Sequence, residues 1–159
     1  MSLRYIIDGC NIINHPRFIR SIPKRAKPVK TALLDFINQH KLCGSLNNKI
    51  TIVFDGYPDR YCHKEDKFAD IIFSRSHTAD EKIKEILEGS PFPKSIIVVS
   101  DDKQVKFFAQ ACGARAIGVE EFIPLKDKAV RRQDDLTRIE LTYAQMHKIN
   151  EELKRIWLK

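Results

Sequence analysis

Acidic residues recur where strand-like runs end. Asp8 follows Tyr5-Ile6-Ile7, Asp55 closes the run Ile50 to Phe54, and Asp101 and Asp102 come soon after Ile96-Ile97-Val98-Val99. Asp80 stands in the first turn of a helix that begins after Thr78. Taken singly, each has an ordinary structural reading: an Asp-Gly pair makes a turn, and an Asp ahead of a helix makes a cap. Together they are harder to explain. Like charges a few ångströms apart repel, and burial sharpens the repulsion. A cluster of them calls for a cation. Oxygen donors without His or Cys select a hard ion, so Mg2+ or Mn2+. Such an ion activates water and stabilises the charge that builds up in phosphodiester cleavage.

Several polar neighbours fit the same chemistry. Asn11, three residues after Asp8, could orient a ligand or phosphate, or simply bond a local turn. Ser100 could bond a carboxylate or a water. Thr78 and Glu81 have the T-x-x-E spacing of a capping box. The cap is the stronger reading for Thr78, while Glu81 either closes the cap or lends an oxygen to the ion. His77 adjoins them, placed either to touch a leaving group or to sit in solvent.

The elements that would position these residues alternate. Short apolar strands are expected over 5–7, 50–54, 70–74, 95–99 and 116–117, each running into polar residues. Helices are expected over 29–42, where apolar residues recur at helical spacing, from the capping box to about 88, over 103–111 and briefly over 119–122. Asp8-Gly9 reads as a turn, and 16–28, with three prolines, as a loop. Strands alternating with helices give an α/β sandwich with a mainly parallel sheet of about five strands. Continuous apolar strands mean both faces are covered. The carboxyl ends of the strands then share one edge, the edge at which open α/β sheets bind ligands.

The net charge of +7 and pI near 9.3 favour a polyanionic partner, nucleic acid first. Six basic residues, Arg17, Arg20, Lys24, Arg25, Lys27 and Lys30, fall between Pro16 and Lys30 with no acid among them. They make either a solvated loop or an arm that grips RNA phosphates. The four cysteines form no C-x-x-C pair, and Cys62-His63 lacks a second pair, which argues against zinc. No apolar run is long enough to span a membrane, and the N-terminus lacks the features of a signal peptide. A cytoplasmic protein with reduced thiols and no membrane partner is expected.

IIDGCNII, TIVFDG, FSRSHTADEKI and IIVVSDD, in this order, resemble the YacP-like branch of the NYN domain family, part of the PIN-like nuclease superfamily. The resemblance covers about residues 4–123. It implies a PIN-like three-layer α/β/α fold and a metal-dependent endoribonuclease. Carried over by position, it makes Asp8, Asp80 and Asp101 the metal-binding acids and Asn11 the Asn of the first motif. Asp55 and Asp102 fall on further acids of the family pattern. Cys10 departs from it, standing where an aromatic is usual, beside the site.

The remaining C-terminal stretch, 134–158, reads as one long helix beyond the resemblance. Leu136, Tyr143, Asn150 and Trp157 alternate with Ile139, Met146 and Leu153 at heptad spacing. The stripe packs either on this chain or on a second copy in a homodimer. The expected division is a nuclease domain over 1–128 and a helical extension over 129–159. The resulting expectation is a single-domain enzyme that cleaves RNA, whether mRNA on the ribosome, tRNA or rRNA. Asp8, Asp80 and Asp101, with Asp102, would hold the metal. The alternative is a non-catalytic RNA- or ribosome-binding module of the same fold, with the acids as turns and caps. A phosphatase forming an aspartyl-phosphate is disfavoured, since it would want a D-x-D motif where this chain has Asp8-Gly9-Cys10.

Overall fold

The structure, a computed structural model, describes residues 2–24, 28–60 and 68–123. Five parallel strands form one sheet in the order β3-β2-β1-β4-β5: β1 (Arg4–Asp8), β2 (Lys49–Phe54), β3 (Asp70–Phe73), β4 (Ile96–Val99) and β5 (Arg115–Ile117). The chain first builds outward from β1 to β2 and β3, then returns to the other side of β1 for β4 and β5. The strand order therefore reverses between β1 and β4, a topological switch point where a crevice opens beyond the carboxyl ends.

Alternation along each strand divides the core into two layers. Ile7, Ile52, Phe54 and Val99 pack with α1 (Gly9–Ile13), α2 (Pro16–Ser21), α3 (Val29–Gln39) and α6 (Val119–Phe122). Ile6, Val53, Ile96 and Val98 pack with α4 (Ala79–Glu88) and α5 (Lys103–Ala111) on the other face. This is the expected three-layer α/β/α sandwich. Ile6, Ile7, Ile52, Val53, Phe54, Val98 and Val99 are wholly buried. Each large apolar side chain buried in this way contributes about 1.5–3 kcal/mol to folding.

Three sequence expectations are corrected in the first part of the chain. No turn separates Asp8 from the next element: α1 starts at Gly9, with Asp8 as its extended N-cap. Gly9 is required for space, because a Cβ there would run into the wholly buried Phe54 ring. The stretch expected as a loop from 16 to 28 begins with helix α2. Pro16 occupies the helix start, where its missing N–H costs nothing. His15 Nδ1 caps it by accepting from the Arg17 backbone N–H at 3.2 Å. Phe18 then anchors the helix, edge-on to Phe36 with ring centres 5.4 Å apart. The helix from 29 also ends earlier than 42, at Gln39.

The compact unit containing the sheet runs from Met1 to Ile123. The expected 134–158 helix and its heptad, and Cys62-His63, lie outside the described residues, as do Arg25 and Lys27. Among the described residues no helix is long and apolar enough to cross a membrane.

Candidate active site

The acids meet at the carboxyl edge of the sheet, on both sides of the switch point. Asp8 lies at the centre. It pairs in register with Val53 of β2, one residue short of the strand's end. Its side chain is almost wholly enclosed, with the residue only 2% exposed. Asn11 secures it twice: the Asn11 backbone N–H donates to Oδ1 at 3.3 Å, and the Asn11 side-chain amide donates to Oδ2. Ser100, wholly buried at the end of β4, donates from Oγ to Asp8 Oδ2 at 3.5 Å and accepts from the Asp102 backbone N–H at 3.1 Å. Ser100 is thus the bridge that ties the ends of β1 and β4 together.

The environment raises the Asp8 pKa from its usual 3.8 to about 6. Burial is the main cause, with the charges of Asp80 and Asp55 adding to it, while the Asn11 hydrogen bonds pull the other way. Asp80 is likewise raised, first by burial and then by the charges of Asp102 and Asp55. A side-chain hydrogen bond with Asp102 also favours its protonated form, and Lys84 one turn along the helix offsets part of this. No described residue forms an ion pair with Asp8, Asp55, Asp80 or Asp102.

Each acid also has a local duty. Asp55 Oδ1 accepts from the Ala79 backbone N–H at 2.6 Å, fastening the end of β2 to the start of α4. Asp102 caps α5, accepting from the Gln104 and Val105 backbone N–H groups at 2.7 and 3.1 Å with Oδ1. Asp101 turns toward the segment after β5: its Oδ1 accepts from the Val119 backbone N–H at 2.9 Å, and its Oδ2 faces His15 Nε2 at 4.0 Å. The carboxylates whose charges chiefly bear on Asp8 and Asp80 are Asp55, Asp80 and Asp102, not Asp101. Asp101 therefore stands at the rim. Glycine at 118 makes room for it, since a Cβ there would lie 3.2 Å from both Asp101 Oδ1 and Lys106 Nζ.

The capping box forms in full. Thr78 Oγ1 accepts from the Glu81 backbone N–H at 3.2 Å, and Glu81 Oε2 accepts from the Thr78 backbone N–H at 3.1 Å. Glu81 Oε2 also faces His77 Nδ1 at 3.4 Å. Glu81 thus forms the cap, and His77, mostly exposed, lies on the outside with it. Cys10 packs beside the site, and its Sγ accepts weakly from the Asp55 backbone N–H at 3.5 Å.

The basic arm proves divided. Arg17 donates to the backbone carbonyls of Glu120 and Ile123 at 2.6 and 3.2 Å, and faces the Glu120 carboxylate at 3.8 Å. Lys30 pairs with Asp59 at 2.7 Å and lies over the Phe73 and Phe54 rings. The acids missing from 16–30 are thus supplied by distant parts of the chain. Arg20 and Lys24 remain at the surface. Two residues of the site were not singled out from sequence, His15 and Lys84. The only sequence signal for Lys84 is its i+4 spacing from Asp80. For His15 it is its place before the helix-starting Pro16.

All-oxygen donors around a buried, unneutralised carboxylate suit a hard divalent cation. Among the described residues, no three His, Cys, Asp or Glu side chains are drawn together tightly enough to form a ready-made cage.

Two solved structures share this fold. Rae1 (YacP) from Bacillus subtilis matches with a TM-score of 0.57 at 22% identity, covering 100% of this chain and 94% of that one. A mutant of the same protein matches with a TM-score of 0.56 at 20% identity, over 89% of this chain and 85% of that one. No curated protein matches the sequence. The family model of the YacP-like NYN domain matches residues 5–158, so the match extends beyond 123 through the C-terminal stretch that the motifs alone left outside.

Proposed function

Because this chain belongs to the YacP-like NYN domain family, we propose that it is a metal-dependent endoribonuclease hydrolysing RNA phosphodiester bonds at the carboxyl edge of its sheet. The observation that carries this reading is Asp8: buried, flanked by Asp80 and Asp55, raised to about 6, and without a cationic partner among the described residues. A protein keeps such an arrangement at a cost to its stability. A charge that neutralises it restores that stability and gives the site a task.

The proposed ligands are Asp8, Asp80, Asp101 and Asp102, with Asp8, Asp80 and Asp101 as the catalytic acids and Mg2+ or Mn2+ as the ion. When bound, the ion supplies Lewis-acid stabilisation of the phosphate and lowers the pKa of water. Asn11 and Ser100 hold Asp8 so that its oxygens face the edge. Asp55 and the capping box fix the first turn of α4 and so aim Asp80. Asp101 would contribute from the rim through Oδ2, which faces His15 Nε2 at 4.0 Å, while Oδ1 accepts from the Val119 backbone N–H. Water is the nucleophile, so no covalent enzyme intermediate forms. Arg20 and Lys24, with Arg25 and Lys27, remain the part of the arm proposed to meet RNA phosphates.

A second reading, an RNA- or ribosome-binding module without catalysis, draws support from the caps formed by Asp55 and Asp102. It gives no reason for holding Asp80 among like charges, or for burying a charged Asp8 beside them when an uncharged residue could cap α1. An Asp80→Asn variant separates the two. The nuclease reading expects RNA cleavage in Mn2+ to fall at least a hundredfold, and wild-type cleavage by the variant would sink it. Anomalous density from Mn2+ among these carboxylates in a soaked crystal would give independent support.

A further inference from the structure

The first turns of α4 and α5 carry Asp80 and the cap residue Asp102, and a groove runs away from them between the two helices. Lys84, Lys103, Gln104, Phe107 and Phe108 line it, and its volume is about 520 Å³. Lys84 lies one helical turn, about 5.4 Å, beyond Asp80. Its Nζ sits 5.7 Å from the centre of the Phe108 ring, and its charge also reaches Asp80. Lys103 opens α5 next to Asp102. One turn further on, Phe107 is 75% exposed, while Phe108, the other aromatic of α5, is partly buried against the core.

We propose that this groove holds single-stranded RNA leading into the acidic edge, with a base stacked on Phe107 and backbone phosphates on Lys84 and Lys103. The inference rests on the nuclease reading above and extends it to the path of the substrate. Charge complementarity selects the occupant: lysines without a carboxylate among the groove's lining residues favour a polyanion. An exposed aromatic between lysines suits unpaired bases, which offer a free face, where duplex RNA keeps its bases stacked inside. Continuity selects the direction, since the groove starts at the two helix ends that carry Asp80 and Asp102. Gln104 adds a side-chain amide that can hydrogen-bond a base edge or a sugar hydroxyl.

The test is fluorescence anisotropy of the full chain with an unstructured 12-nucleotide RNA, in EDTA so that nothing is cleaved. Phe107→Ala should weaken binding on the order of tenfold. Lys103→Ala should flatten the slope of log affinity against log salt by about 0.7. Phe92→Ala, a comparably exposed aromatic (71%) preceding β4 at the opposite edge, should change nothing. Equal affinity of wild type and Phe107→Ala overturns the groove and leaves its aromatic face to a protein partner. So does a duplex that binds as tightly as the single strand and suffers the same loss. Cleavage in Mn2+ separates this result from the parent reading. A wild type that cleaves while Phe107→Ala binds normally refutes the groove alone. A Phe107-dependent binder that never cleaves refutes the nuclease alone.

Discussion

Asp80 and Asp102 lie on different helices, with β4 between them in the chain, and meet carboxyl to carboxyl at the mouth of the site. Burial is the first cause of the raised Asp80 pKa, and the opposing charge of Asp102 adds to it. If the pair is a cation site, Asp102→Asn should remove the repulsion and the ion together. The wild type should gain about 2.7 kcal/mol from Mn2+ at a hundred times its Kd. The variant should gain less than about 1 kcal/mol under the same conditions. Melting temperatures with and without Mn2+ check this, and an undiminished Mn2+ shift in the variant would remove Asp102 from the ligand set.

Asp8 makes stability depend on pH in the opposite sense to an ordinary paired carboxylate. Its folded pKa is raised from 3.8 to about 6, so the folded state holds the proton more tightly than the unfolded chain does. Stability without metal should therefore fall as pH rises from about 4 to about 6, and stay low above that. The shift corresponds to about 3 kcal/mol at most. Asp8→Asn keeps a side-chain oxygen for the α1 cap and has no charge to bury. In EDTA at pH 7.5 it should be more stable than wild type by about 1–3 kcal/mol, yet inactive. Urea denaturation of both proteins at pH 5 and pH 7.5 measures the difference, which should shrink at the lower pH.

The strands, the edge they share and the capping box were all legible in the sequence because each is a local pattern. Ile96-Ile97-Val98-Val99 is apolar throughout because both its faces are covered, and Thr78 with Glu81 carries its own geometry. What was not legible depends on contacts between distant residues. Asp101 and Asp102 are adjacent in sequence, but one reaches the Val119 N–H and the other caps α5. Composition cannot assign their directions. Arg17 and Lys30 looked uncompensated because Glu120 and Asp59 approach them only through the fold. Pro16 looked like a breaker because its use as a helix start depends on the His15 cap and on Phe18 finding the core.

Arg17 should matter to the fold more than to RNA. It spans from α2 to two carbonyls in the segment that follows β5. Arg17→Ala should cost about 1–3 kcal/mol, since hydrogen bonds from a charged donor are lost and the carbonyls are left without it. RNA affinity, measured where both proteins are folded, should change less than it does for an Arg20→Ala and Lys24→Ala pair. A larger loss of affinity for Arg17→Ala would place that side chain on the RNA and not in the scaffold.

Gly9 should tolerate no side chain. A Cβ would collide with the Phe54 ring, which is wholly buried and stacked on Phe73 with ring centres 5.9 Å apart. Gly9→Ala should gain a little from better helix propensity but lose about 1–3 kcal/mol to overpacking. Because Gly9 follows Asp8 directly, the displaced backbone should also turn the carboxylate. Activity should then fall further than stability explains, read as a lower kcat at a temperature well below the melting point. Gly9→Ala paired with Phe54→Leu should recover part of both losses by making room.

The cap of α4 gives the sharpest separation of stability from chemistry. Thr78→Ala removes one hydrogen bond of the box and should cost about 1 kcal/mol. Asp80 lies two residues further on, and its direction depends on that first turn being fixed from both sides, by the box and by the Asp55 bond to Ala79. Loosening the turn should weaken Mn2+ binding and cleavage by about tenfold, because metal sites rely on such supporting contacts. Thr78→Ser keeps the accepting hydroxyl and should restore both. If Thr78→Ala lost stability but bound Mn2+ and cleaved RNA as well as wild type, the cap would serve the helix alone, and Asp80 would owe its position to Asp55.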